Sequence, residues 1–481
     1  MMVLRSVTAL LTSLALVACS GGGGGAPTSG GAGSTGAGSG TGVSATPPAT
    51  TDCSLRARQT WAAQQLSEWY LFPETRPANL DPSAYRSVQD YLDALTANAR
   101  GQSKDRFFTF ITSINEENAF IRSGQTAAFG IRLQTDTVNR RVLVVDAYEG
   151  APALQAGIDR GARILAIGTS PATLQSVDSL IAADGAAGVS DAFGPATAGV
   201  SRALEIDDGN GRRTVTITKA NFNIRPVSNR FGVQVLNDGG RRVGYLNLRT
   251  FIDTADPQLR DAFANFRAQG ITDFIIDFRY NGGGLVDIAD LMGDLLGDNR
   301  AAGDVFETTE YRPSKAQFNE TRRFQRQPQS VAPVRIAFIT TSASASASEL
   351  VINSMQPWLR DQLILVGSNT FGKPVGQIAR DRSACDDRLR VVAFETKNAD
   401  RQGGYYTGLA STVQRSCAAQ DEVARPMGDP QEASTRAALD ALAGNSCTAI
   451  GAVSRAQSAG QRELLVPKRL SVVDREVPGT F

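Results

Sequence analysis

Phe274-Ile275-Ile276-Asp277-Phe278-Arg279, running into Asn281-Gly282-Gly283-Gly284, reads as a buried strand that stops at a glycine turn and feeds a helix from Leu285. A short, nearly continuous apolar run bounded by glycine fits a strand covered on both faces. The arrangement repeats downstream. Residues 334–339, Val-Arg-Ile-Ala-Phe-Ile, lead into Ser344-Ala345-Ser346-Ala347-Ser348-Glu349 and a helix from about Ser348. Residues 363–366, Leu-Ile-Leu-Val, then deliver Lys373 after Gly372. Upstream, residues 242–248 form a strand and 258–268 carry a helical stripe. Strands alternating with helices predict α/β layers with functional residues at the carboxyl ends of the strands.

The chemistry available at those ends is narrow, because the chain has 481 residues and no histidine. A Ser-His-Asp triad, a Cys-His dyad and a His-ligated zinc are all excluded. A serine activated by a lysine amine is not. A serine where a strand meets a helix has helix N–H groups pointing at it, so an anionic intermediate formed there is stabilised. Glycines 282–284 let bare backbone approach a substrate carbonyl; read blandly, they are a tight turn. A Ser/Ala run before a helix is, taken alone, more often a cap or linker than a nucleophile.

The amino terminus has Arg5, an apolar run from Val7 to Val17, and Leu16-Val17-Ala18-Cys19 before Ser20, which resembles a bacterial lipobox. The run is short for a membrane span, so residues 1–18 are expected to be a removed signal peptide, with lipid on Cys19. Residues 19–52 are rich in Gly, Ser, Ala, Thr and Pro and lack the apolar surface to fold. Cys53, Cys385, Cys417 and Cys447 remain, an even number in an exported chain, and predict two disulfides. Three connectivities are possible; sequence proximity favours Cys385 with Cys417, leaving Cys53 for Cys447. With Lys+Arg 49 against Asp+Glu 48, the charge balance offers no footprint for nucleic acid.

Residues 53–125 read as a helical segment: Leu55, Ala62, Leu66 and Trp69 share one face, and Tyr85, Val88, Leu92 and Leu95 another. A β-rich stretch follows, with strands near Ala128-Phe129-Gly130-Ile131-Arg132-Leu133, 141–145, 163–168 and 214–218, and turns at Gly150-Ala151-Pro152 and Ala156-Gly157-Ile158. This succession looks like a PDZ domain over 126–220. In that family an aromatic-Gly-apolar turn offers backbone amides to a peptide's terminal carboxylate. The resemblance puts Phe129, Gly130 and Ile131 there.

The ordered motifs Asp-Phe-Arg-Tyr-Asn-Gly-Gly-Gly, Ser-Ala-Ser-Ala-Ser-Glu and Thr-Phe-Gly-Lys, with Gln377 four residues later, resemble the carboxyl-terminal processing peptidases, or tail-specific proteases, over roughly 55–440. The resemblance implies a multidomain α/β protein: the helical segment, the PDZ-like domain, a peptidase core of the crotonase/Clp-like kind over 221–448, and a tail over 449–481. It implies Ser346 as nucleophile, Lys373 as base and Gln377 as its supporting amide. The N–H groups of Gly283 and Ala347 would form the oxyanion hole. No metal or cofactor is expected. The partners are polypeptides presented by their carboxyl ends and the bilayer reached through Cys19, in the bacterial cell envelope, with the outer membrane facing the periplasm as the expected place. Some relatives have an aspartate early in the nucleophile helix, where this chain has Pro357, with Asp361 further on. A competing reading is a lipid-anchored peptide-binding protein that has lost catalysis; the intact Ser, Lys and Gln argue against it.

Overall fold

The computed structural model describes residues 52–451 and 462–481. The expected signal peptide, Cys19 and nearly all of the Gly/Ser-rich stretch lie outside the described residues.

The protein is α/β. Its central sheet has six strands in the order Val233–Asp238, Arg241–Asn247, Asp273–Asp277, Arg335–Thr340, Leu363–Gly367 and Arg415–Ala418. Only the first pair is antiparallel. Successive side chains on a strand point to opposite faces, and both faces here are covered. Phe274 and Ile276 pack with the helices Ala255–Ala268, Val286–Leu295 and Ala347–Leu359, while Ile275 packs on the other side with the helix Ala433–Leu442. That double burial is why the run 274–276 shows no polar alternation. The register sets Asp277 opposite Ile339 and Thr340 opposite Gly367, so the three loops carrying Gly283, Ser346 and Lys373 leave the sheet at one edge.

The first helix, Leu55–Trp69, starts at Ser54, whose side chain accepts from Ala57 N. It buries Ala62 and Leu66, as expected, but leaves Leu55 exposed. The helix Val88–Leu95 buries Val88, Tyr91, Leu92 and Leu95. Both pack on Val375, Leu389, Val391 and Val392 of a long hairpin, Val375–Arg382 with Asp387–Lys397, so the amino-terminal helices share a core with the strand that follows Lys373.

This hairpin overturns the expected pairing of Cys385 with Cys417. Cys385 lies at the hairpin tip, and the tip folds back on the first helix: Arg58 Nη2 meets Asp387 Oδ1 at 2.5 Å and Arg382 Nη1 donates to Ala57 O at 2.8 Å. Cys53 is thereby bonded to Cys385. Cys417, on the edge strand Arg415–Ala418, is bonded to Cys447 just beyond the helix Ala433–Leu442. Cys417 and Cys447, 30 residues apart, are in fact the nearest two of the four in sequence; only the Cys53–Cys385 bridge, across 332 residues, depends on the return of the hairpin.

A second sheet holds Ile131–Asp136, Arg141–Ala147, Arg163–Gly168, Ser201–Asp207 and Arg212–Thr218. Phe129, Leu133, Val144, Ile164, Leu204 and Ile217 form its core under the helix Val177–Phe193. That helix escaped the sequence reading because Asp184 and Gly185 break its helical geometry midway. The outer edge of Ile131–Asp136 is covered by the segment 462–481.

Candidate active site

A buried ion cluster anchors the glycine loop. Arg279, fully buried, donates through Nε to Asp277 and through Nη1 and Nη2 to Glu432 at 2.9 and 3.1 Å. Burial alone would raise the Glu432 carboxyl, but the guanidinium pulls it down to about 2. Asn281 then shapes the turn: its Nδ2 donates to Leu248 O at 2.9 Å and its Oδ1 accepts from Gly283 N at 2.9 Å. Gly283 has φ 119°, and a Cβ there would lie 2.7 Å from Ser346 Cβ. Glycine is required on both counts.

Ser346 caps the helix Ala347–Leu359 with φ 54° and ψ −115°, a region that costs a non-glycine residue about 1–3 kcal/mol. Its neighbours hold it there. Ser344 Oγ donates to Phe278 O at 2.7 Å, Ala345 N donates to Asn281 O at 3.1 Å, and Ser348 Oγ donates to the same carbonyl at 3.1 Å. Ser344 and Ser348 are completely buried and their hydroxyls committed, whereas Ser346 is partly exposed. Among the described residues no acceptor bonds the Ala347 N–H, and Gly283 N–H is engaged by Asn281.

Glu349 ties the serine to the lysine. Its Oε2 accepts from Ser346 N at 3.1 Å and Lys373 N at 2.8 Å, and its Oε1 accepts from Gly372 N at 2.7 Å. Burial pushes this carboxyl up, against the pull of the Thr370 hydroxyl and the three backbone donors. Lys373 Nζ donates to Gln377 Oε1 at 2.9 Å, and Gln377 Nε2 donates to Phe108 O. That carbonyl fixes the amide, since only the NH2 end can face it. Desolvation lowers the Lys373 pKa; Glu476 is the leading influence raising it, and Phe108 places its ring centroid 5.3 Å from Nζ. Lys373 Nζ makes no hydrogen bond to Ser346 Oγ in this arrangement.

Sequence reasoning missed the support for this lysine. Arg106 Nη2 donates to Phe371 O and Gly372 O, both at 2.6 Å, across some 265 residues of chain. Asp105 shapes the adjoining turn by accepting from Phe108 N at 2.7 Å, Thr109 N at 3.1 Å and Tyr70 Oη at 2.9 Å. The run Asp105-Arg106-Phe107-Phe108 carried no periodic signal, and its value lies wholly in distant contacts. Glu349 stood in a quoted motif without a role. Asp361 lies beyond the far end of the helix Ala347–Leu359, exposed, about 20 Å of helix from Ser346. Gly130 N and Ile131 N both donate to Phe481 O, at 2.8 and 3.1 Å, while Phe129 is buried in the core beneath them.

A strained serine at a helix start, a glycine loop against it and a buried lysine amine lie together at this site, and residues 242–407 match the model of peptidase family S41. The chain is similar to the carboxyl-terminal-processing protease of Picosynechococcus sp., 25% identical over 252 residues, which cover 52% of this chain and 55% of that protein. It is also similar to carboxyl-terminal-processing peptidase 3, chloroplastic, of Arabidopsis thaliana, 27% identical over 279 residues, covering 56% and 50%. The chain thus spans about half the length of the curated relatives it matches. An S41 protease structure from Bacteroides fragilis shares the fold, with TM-score 0.61 and 20% identity over 80% of this chain and 97% of that one.

Proposed function

We propose that this chain is a serine endopeptidase of the carboxyl-terminal processing type, with Ser346 as nucleophile and Lys373 as general base. The observation that carries it is the Glu349 carboxylate, which binds the backbone N–H of both residues and so sets one against the other. A lysine can serve as base only when neutral, and burial favours that form. A neutral amine has two N–H bonds and one lone pair; spending an N–H on Gln377 Oε1 leaves the lone pair for the Ser346 proton. Ser346 Oγ attacks the scissile carbonyl, the amine takes its proton and returns it to the leaving nitrogen, and water resolves the acyl-enzyme. Ala347 N–H is an oxyanion donor free to act; Gly283 N–H joins it by exchanging Asn281 Oδ1 for the oxyanion.

Residues 126–220 serve in this reading as a PDZ-like module that receives polypeptide ends at Gly130 and Ile131, supported by the convergence of both amides on one oxygen. The two disulfides support export to an oxidising compartment, with Cys19 lipidated and the body held in the cell envelope. Mass spectrometry of the membrane fraction tests the anchor: a chain beginning at acylated Cys19 is expected, and an unmodified chain starting elsewhere would remove it. The activity is tested by hydrolysis of an unfolded polypeptide, expected for the unaltered protein and lost in Ser346→Ala; equal hydrolysis by both would overturn the assignment.

A further inference from the structure

The edge of the Ile131–Asp136 strand is where an added peptide strand would pair, and this chain fills it with its own residues. Phe481 O accepts from Gly130 N and Ile131 N, Phe481 N donates to Ile131 O at 2.8 Å, and Leu133 N donates to Gly479 O at 2.9 Å. Thr480 bridges Arg132, and its hydroxyl lies 2.8 Å from Tyr148 Oη. The Phe481 ring sits 5.1 Å from that of Phe193, in a core with Phe129, Ile181 and Val189. Further along the same edge, Glu463 and Leu464 pair with Thr135 and Gln134.

The same segment reaches the candidate active site. Glu476 O accepts from Gly282 N at 3.0 Å, and Arg475 O passes so close that a Cβ on Gly282 would lie 2.0 Å from it. Arg475 Nη1 donates to Phe107 O at 2.5 Å, with the guanidinium 4.0 Å from the Phe110 ring centroid. Glu476 Oε2 is buried with no hydrogen-bond partner, which weakens the hold at this end. From Glu476 to Phe481 the chain can span at most about 17 Å, so the glycine loop and the edge groove are bridged by one short strap.

We propose that residues 472–481 are an intramolecular occupant of the peptide groove on the Ile131–Asp136 strand, and that they hold the Ser346 site closed until a polypeptide ending in an aromatic residue displaces them. Closure of Ser346 rests on the peptidase reading above, whereas occupancy of the groove stands on the strand contacts alone. An aromatic end is selected because the volume that Phe481 fills is walled by Phe129, Phe193, Ile181 and Val189: a smaller side chain leaves a void, and a charged one is stripped of water. Two amides aimed at one oxygen suit a terminal carboxylate.

The probe is a fluorescent Val-Pro-Gly-Thr-Phe peptide with a free carboxylate, titrated by anisotropy against the full chain in a Ser346→Ala background so that nothing is cleaved. Freeing the groove raises apparent affinity in proportion to the fraction of open molecules, so Phe481→Ala is expected to bind about tenfold tighter or better. Thr480→Val, which keeps the phenyl ring and loses only the hydroxyl's bonds to Tyr148 Oη and Val477 O, is expected to bind more tightly by a smaller factor. With Ser346 restored, Phe481→Ala is expected to hydrolyse an unfolded polypeptide about tenfold faster. Equal peptide affinity in all three chains would overturn the occupancy of the groove, even if Ser346-dependent hydrolysis were present. Tighter binding with unchanged hydrolysis would overturn the closure. Tighter binding with no hydrolysis in any chain would instead sink the peptidase reading and leave the groove assignment standing.

Discussion

Glu349→Gln isolates the link between the serine and the lysine, because it keeps the volume of the side chain and removes one acceptor. The carboxylate takes three backbone N–H groups on two oxygens. A glutamine can at best keep its oxygen toward Ser346 N and Lys373 N, which turns its NH2 against Gly372 N–H. One bond to a charged acceptor is lost, worth about 1.5–3 kcal/mol, and two donors then face each other. The strain falls on the Gly372-Lys373 turn, which has little freedom elsewhere: Gly372 sits at φ 90° with the Tyr406 carbonyl directly against it. If most of that loss appears as displacement of the amine, kcat falls about 10- to 100-fold, at about 1.4 kcal/mol per factor of ten. KM changes little, because Glu349 touches no substrate. Steady-state turnover on an unfolded polypeptide, paired with urea unfolding, reads both. A lower urea midpoint with kcat unchanged would show that Glu349 braces the fold without positioning the dyad, and the reasoning would fail.

Activity should rise with pH as the Lys373 amine loses its proton, and burial places that transition below the ordinary lysine value. Glu476 raises this pKa, Arg475 lowers it, and Asp105 and Glu349 raise it further; Glu476→Gln should therefore move the profile of kcat/KM toward lower pH, and an unmoved or alkaline-shifted profile would count against the lysine base. Ser344→Ala and Ser348→Ala should each cost about 1–2 kcal/mol of stability, since each removes a buried hydrogen bond, to Phe278 O and Asn281 O, although each carbonyl keeps a backbone donor, yet keep turnover within about tenfold; loss of activity in Ser344→Ala with retention in Ser346→Ala would move the nucleophile. Peptide mapping without reduction should recover Cys53 with Cys385 and Cys417 with Cys447, and replacing the second pair by alanine should cost about 3.5 kcal/mol for its closed loop; recovery of Cys385 with Cys417 would refute the hairpin packing.

Much of the site was legible because its signals are local. The run 274–276 announces a strand covered on both faces, and the glycines after it announce a close approach, met here between Gly283 and Ser346. Lys373 and Gln377 are named through the resemblance to the carboxyl-terminal processing peptidases, and their amine and amide oxygen lie 2.9 Å apart. What stayed hidden depends on returns of the chain. Arg106 grips the Lys373 turn, and the Phe108 carbonyl orients Gln377, from more than two hundred residues away. The Cys53–Cys385 bridge stayed hidden for the same reason, since a hairpin carries Cys385 back across 332 residues, whereas Cys417 and Cys447 are the nearest two cysteines in sequence, 30 residues apart. The segment 462–481 has strands too short for any periodicity to register, yet it seals a sheet edge and meets Gly282.

The central claim is that Ser346 is a nucleophile made reactive by Lys373. Fluorophosphonate treatment, with the adduct mapped by mass spectrometry, tests it most directly, run on the unaltered chain and on Phe481→Ala so that the strap cannot mask the serine. A single adduct on Ser346, faster in Phe481→Ala and absent in Lys373→Met, is predicted. No adduct in either chain, an adduct on Ser344 or Ser348, or undiminished labelling in Lys373→Met would contradict it.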